Sequence, residues 1–168
     1  MSEIIILEKF KAQDFELFYG LVNDERVMAL ITERTMTLED ARRDFAARIE
    51  NSNQHPSFGF YKVFEKDKKQ FIGAGKLTID NRDLKEAELG YMLLPQFWGN
   101  GYGNEITEVL LQKARKESTL KKITAVIHSA NIASRKILVR NGFKVNELQK
   151  KDFSEFYDLH VEDSNWIK

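Results

Sequence analysis

The residues best able to do chemistry in this 168-residue chain fall in three places. Glu88 stands in an otherwise apolar run, AELGYMLL over residues 87–94, as a carboxylate that is either a proton acceptor or one half of a cross-strand ion pair. Just beyond it, Gly99, Gly101 and Gly103 recur at every second position in WGNGYGNE, residues 98–105. Glycines ahead of a helix can take positive φ and let a ligand approach the main chain, and the unpaired N–H groups of the first helical turn carry partial positive charge. Such a joint suits a phosphate. The third place is Asn131-Ile132-Ala133-Ser134, where Asn131 has the character of a helix N-cap and Ser134 adds a hydroxyl.

Spacing narrows what the glycines can hold. A Walker loop needs Gly-Lys-Ser/Thr at the helix start, and this chain has Gly103-Asn104-Glu105. A dinucleotide fingerprint wants its third glycine where Asn104 stands, and an acid about 20 positions on, where Lys121 and Lys122 stand. Both readings fail. The three histidines, His55, His128 and His160, lack metal-ligand spacing, and the chain has no cysteine, so no metal is expected and a thiolate nucleophile is excluded. His128, close to Asn131, reads as structural.

The elements that must position these residues follow from periodicity. Residues 4–7 form a first strand, and Phe15, Phe18, Tyr19 and Val22 mark one face of a helix starting near Ala12. Thr37 caps a second helix striped by Leu38, Ala41, Phe45 and Ile49, with residues 23–36 between the two as a loop or single turn. Gln54-His55-Pro56 breaks the chain into a strand carrying Phe58, Phe60 and Phe64. A turn over 65–70, a strand over 71–79 thinned on one face by Gly73 and Gly75, a turn at Asn81-Arg82-Asp83 and a strand over 87–94 make an antiparallel meander. After the glycines, Ile106, Val109, Leu110 and Ala114 stripe a helix ending near Ser118, and residues 123–127 form a strand parallel to 87–94. Asn131 opens a last helix that Asn141-Gly142 closes, and residues 143–148 and 156–161 form a closing hairpin. The expected fold is α+β (mixed α/β), a mostly antiparallel sheet with one parallel pair, in a single domain over residues 1–168.

Composition sets outer bounds. Lys plus Arg and Asp plus Glu number 26 each, so no net field favours nucleic acid or an anionic membrane. No run of eighteen apolar residues occurs, and the start MSEIIILEKF lacks a basic stretch ahead of an apolar one, so neither a membrane span nor a signal peptide is expected. Absence of cysteine is compatible with a reducing cytoplasm, the expected location.

Trp98-Gly99-Asn100-Gly101-Tyr102-Gly103 resembles motif A of the GNAT superfamily of acetyl-CoA-dependent N-acetyltransferases, Gln/Arg-x-x-Gly-x-Gly/Ala, with Trp98 in place of the polar first residue. Gln96 to Gly101 satisfies the pattern in a second register. The first is preferred, because it sets the last glycine at the helix start. The Trp-Gly-x-Gly-Tyr run and Asn131-x-x-Ser134 are similar to the RimJ/RimL-like branch, and the resemblance is specific between Glu88 and Phe143.

It implies a three-layer fold in which strand 87–94 bulges and splays from strand 123–127 to leave a V-shaped cofactor cleft. Main-chain groups at Met92, Leu93 and Leu94 would hold the pantetheine arm of acetyl-CoA, and Gly99, Asn100, Gly101, Tyr102, Gly103 and Asn104 its diphosphate. Asn131 and Ser134 would contact the same cosubstrate, with Arg135, Lys136 and Arg140 near its phosphates or merely solvated. Glu88 would deprotonate the acceptor. Leu138 stands where many members place a tyrosine that protonates the departing thiolate, which leaves Ser134 or water for that task. Residues 23–36 would line the acceptor side, the acceptor being a protein N-terminal α-amine or a small amine. The alternative is a non-catalytic acyl-CoA-binding or regulatory module. The resemblance also allows a homodimer.

Overall fold

The computed structural model describes residues 2–79, 84–163 and Trp166, and the expected turn Asn81-Arg82-Asp83 lies outside them. In chain order the elements are β1 (Ile5–Lys9), α1 (Phe15–Val22), α2 (Glu25–Met28), α3 (Leu38–Ser52), β2 (Gly59–Glu65), β3 (Gln70–Thr78), β4 (Glu86–Leu93), α4 (Tyr102–Arg115), β5 (Lys122–His128), α5 (Ile132–Arg140), β6 (Lys144–Val145) and β7 (Ser154–His160). The strands form one sheet in the order β1-β2-β3-β4-β5-β7-β6. Within it β4 and β5 run parallel and the other neighbours antiparallel, the mixed α+β architecture expected.

Two apolar clusters hold the layers together, one on each side of the sheet. Ala87, Leu89 and Leu93 of β4 pack with Ile106, Leu110 and Leu111 of α4. Met92 and Leu94, at the alternate positions, pack with the cluster built from α1 and α3 around Phe18 and Phe45. Glu88 and Gly90 share that second face by the same alternation. Ile106, Leu110 and Leu111 are at most 1% exposed, and each such burial contributes about 1.5–3 kcal/mol. Gly75 serves this packing, since a Cβ there would lie 3.1 Å from Ile106.

Several expectations change in detail. Residues 23–36 contain a true helical turn, α2, because Asp24 accepts from the amides of Arg26 and Val27. At four residues it is too short to show a period. Phe58 and Phe60 do not share a face: each belongs to a different core cluster, because Phe58 lies before β2 begins at Gly59 and so outside its alternation. Helix α4 stops at Arg115, and the closing hairpin keeps only two residues in β6. The bulge expected in β4 is absent. Its pairing with β3 is continuous from Thr78↔Glu88 to Gly73↔Leu93, and the irregularity falls one strand over, between β2 and β3. The splay itself is present. β4 and β5 pair only at Glu86↔Lys122, Ala87↔Ile123 and Glu88↔Thr124, although the strands run on to Leu93 and His128.

On the side of the sheet covered by α1 and α3, Lys62 of β2 is only 10% exposed and pairs with Asp14 at 2.8 Å. Burial alone would raise the Asp14 carboxyl. The bonds from Lys62 and from the Lys11 amide outweigh it and hold the group below the usual aspartate value. A depressed carboxyl stabilises the fold above its unfolded pKa, and that contribution is lost as pH falls through the folded value. Asp14→Asn is therefore expected to cost about 2 kcal/mol at pH 7, by leaving the Lys62 ammonium with only the exposed and more distant Glu8 carboxylate at 3.9 Å. The gap to wild type should narrow as pH drops from about 4 downwards. Urea unfolding at neutral and acid pH checks this, and an equal gap at both would contradict it.

Candidate active site

Where β4 and β5 part, two adjoining cavities open, of about 260 Å³ and 470 Å³. Both are bordered by Tyr91, Met92, Asn131 and Ser134, and by Leu30 and Ile31 from the loop after α2. Residues from the meander, the crossover and the α2–α3 loop thus meet at one place.

The glycine turn borders the larger cavity. Gly99 and Gly101 have φ of 76° and 83°, and nothing lies within 4 Å of where their Cβ atoms would be. Gly101 is the N-cap of α4 and makes no side-chain cap bond, so no cap side chain competes for the first-turn amides. Gly103 has a different purpose from the one its spacing suggests. It is helical, and a Cβ there would sit 2.8 Å from the Tyr91 hydroxyl. The turn is braced by Trp98, whose indole N–H donates to the Leu93 carbonyl at 2.9 Å. Asn100 turns its side chain back onto the carbonyls of Phe97 and Trp98, away from the cavity lining. Asn104 lines the cavity while its amide joins α4 to α5 through Asn141 at 3.0 Å.

Along β4 the main chain alternates its direction. The Leu94 N–H donates to Ile72 at 2.9 Å, so the antiparallel ladder turns the main-chain groups of Met92 and Leu94 toward β3. Those of Tyr91 and Leu93 then face the gap. Met92 borders both cavities, and Leu94 lies outside both linings.

The Tyr91 and Ser134 hydroxyls are 2.9 Å apart at the border of the two cavities. Burial pushes the Tyr91 phenol up and the Ser134 bond only partly opposes it, so the phenol stays protonated at neutral pH. Asn131 acts as the expected cap, accepting from the Ser134 amide at 3.1 Å. Leu138 is buried in the core on the α4 side. Glu88 lines the smaller cavity and is bonded to Lys76 of β3. His128 stacks on Phe153, and its Nδ1 accepts from the Ala130 amide at 3.0 Å, which assigns the proton of the neutral ring to Nε2. Arg135 is engaged by Glu155 and the Ser129 carbonyl, leaving Lys136 and Arg140 on the larger cavity.

Residues 5–144 match the family profile of the acetyltransferase (GNAT) domain. The chain belongs to the GNAT acetyltransferases. It is an acyltransferase by that membership, and its relatives agree. YnaD, an uncharacterized N-acetyltransferase of Bacillus subtilis (strain 168), is 25% identical over 154 residues, spanning 88% of this chain and 83% of its own. A spermidine N-acetyltransferase from Vibrio cholerae, solved with CoA and spermine, superposes with a TM-score of 0.77 at 15% identity, over 99% of this chain and 100% of its own. RimL, a ribosomal L7/L12 alpha-N-protein acetyltransferase solved with coenzyme A, gives 0.76 at 15% identity over 95% of each chain. At such identities the structural likeness speaks for the fold alone.

In this GNAT chain the structure brings together most of the residues singled out by motif, adds the side chains of Lys76 and Tyr91, and shows which part of residues 23–36 borders the cavities, namely Leu30 and Ile31. The side chains of Lys76 and Tyr91 and the Leu30-Ile31 loop carry no local signal, because each matters only through a partner distant in sequence. No helix among the described residues is long and apolar enough to cross a membrane, and none of their acidic, histidine or cysteine side chains group as a metal site. The Tyr91–Gly103 contact makes a quantitative expectation. Gly103→Ala should destabilise by about 1–3 kcal/mol through overpacking, yet become neutral or stabilising in a Tyr91→Ala background, where helix propensity favours alanine by about 1 kcal/mol. A double-mutant cycle by urea unfolding reads the coupling, and additive effects would contradict the contact.

Proposed function

We propose that the protein is a single-domain, acetyl-CoA-dependent N-acetyltransferase of RimJ/RimL-like type that passes the acetyl group directly to a primary amine. The observation that carries this reading is the uncapped glycine turn at the head of α4, opening onto the gap where β4 leaves β5. Its free first-turn amides suit a diphosphate, and the gap-facing main chain of Tyr91 and Leu93 suits the amide-bearing arm that follows. Lys136 and Arg140 add positive charge beside the same cavity. Acetyl-CoA supplies the acyl group as a thioester when bound.

The roles of the chain's own residues follow from position. Glu88, on the smaller cavity, accepts the proton that the acceptor amine must lose, directly or through water. Ser134 faces both cavities and returns a proton to the departing sulfur, with the Tyr91 hydroxyl behind it to replenish that proton. This pair answers the absence of a tyrosine at Leu138, the one feature that favours a non-catalytic module. Having no cysteine, the chain lacks the most familiar acyl-enzyme nucleophile, in keeping with direct attack by the amine. The named relatives include one acting on a polyamine and one on a protein N-terminus, which supports an amine acceptor.

Calorimetry with acetyl-CoA and a thiol-release assay across amines test the reading together. Glu88→Gln should keep acetyl-CoA affinity within about twofold while turnover falls by about 100-fold and its pH profile changes. Ser134→Ala and Tyr91→Phe should lower kcat more than they raise KM. Wild-type turnover of Glu88→Gln at every pH would remove Glu88 from the mechanism, and absence of coenzyme A uptake would end the reading as a whole.

A further inference from the structure

The charges around the acceptor cavity narrow the class of amine. Its ionisable lining side chains are Arg48, Lys76, Glu88 and His128, so cations outnumber carboxylates and Glu88 is the one acid among them. Arg48 is held by Asp44 at 2.7 Å and lies over the Phe60 ring at 4.6 Å. Lys76 reaches Glu88 along a diagonal of the β3–β4 ladder, its own ladder partner being Gly90. The Lys76 stem lies across that glycine, where a Cβ would be 3.0 Å from Lys76 Cε. Gly90 thereby opens the channel through which the ammonium arrives, and the ion pair is part of the cavity floor.

An entering amine must meet Glu88. A simple cation would displace Lys76 and leave its ammonium unmatched, in a cavity that Arg48 also lines, under a substrate that now excludes water. A polyamine worsens this with every further charge. A molecule carrying both an ammonium and a neighbouring carboxylate replaces both halves of the pair, its ammonium against Glu88 and its carboxylate against Lys76. Of the remaining walls, Leu30, Ile31, Phe60 and Val126 are apolar, while the polar Tyr91, Asn131 and Ser134 lie where the two cavities adjoin and Ser154 adds one further hydroxyl.

We infer that the acceptor is a zwitterionic α-amino acid with an apolar side chain, bound by exchange with the Lys76–Glu88 ion pair. This rests on the acetyl-transfer reading above. The substrate nitrogen forms its bond to the acetyl carbon as the carbon–sulfur bond breaks. The ammonium loses two protons: Glu88 passes one to water for net release, and the other, carried through water, restores the Ser134 hydroxyl after it has protonated the sulfur. The products are an N-acetyl amino acid, free thiol and one proton released to solvent.

The test compares leucine with leucinamide, isopentylamine, spermidine and a short peptide in the thiol-release assay, with acetyl-CoA binding followed separately by calorimetry. Leucine is expected to exceed leucinamide and isopentylamine at least tenfold in kcat/KM. Lys76→Met should erase that preference through the KM for leucine, and Lys76→Arg, which keeps the charge, should restore most of it. Faster turnover of spermidine, of the peptide or of the uncharged-carboxyl analogues overturns this inference and leaves the acetyltransferase reading standing. Uptake of acetyl-CoA without turnover of any of the five overturns it too. Failure to take up acetyl-CoA at all overturns the parent reading instead.

Discussion

The parallel ladder between β4 and β5 ends with Glu88 and Thr124, and the two cavities open where it stops. Each strand keeps its other neighbour to the end, β4 with β3 as far as Leu93 and β5 with β7 as far as His128. The parting therefore leaves one edge of each strand with main-chain groups that have no ladder partner, and such groups are costly to bury unsatisfied. Trp98 takes one of them, the Leu93 carbonyl. The rest face a cavity, available to a ligand or to water.

Tyr91 is the side chain that ties the cleft to its two flanking helices. It rises from the strand that borders the gap, lies against Gly103 at the head of α4 and meets Ser134 in the first turn of α5. A single ring thus sets the spacing among the phosphate-suited turn, the strand edge and the capped start of the next helix. Close packing of this kind transmits a small change at one member to the others. It also explains why the third glycine of the run is buried while the first two are exposed.

The ion pair of Glu88 with Lys76 and the proton-accepting role proposed for it are alternatives only while the smaller cavity is empty. Lys76 and Glu88 are both partly exposed in the free protein, with 32% and 26% of their side chains reached by solvent, so their pairing contributes little to stability. Its weight changes when a substrate covers the cavity. A pair that is weakly held in water and strongly discriminating once dry is well placed to select what enters.

Much of the architecture was legible because its rules act over a few residues. The cap at Thr37 accepting from Asp40, the cap at Asn131 accepting from Ser134, the helix opening after Gly101 and the alternating faces of β4 follow from neighbours along the chain. Those rules determined the meander, the crossover and the place where an anion could sit. What only the tertiary structure decided depends on segments far apart: which core Phe58 and Phe60 each join, where the sheet bulges, which main-chain amides of β4 face the gap, and the meeting of Tyr91 with Ser134 across 43 residues. The physical reason is that register and layer packing are settled by the fit of whole elements against one another. A local pattern names the face a side chain occupies, and only the assembled fold determines what stands opposite it.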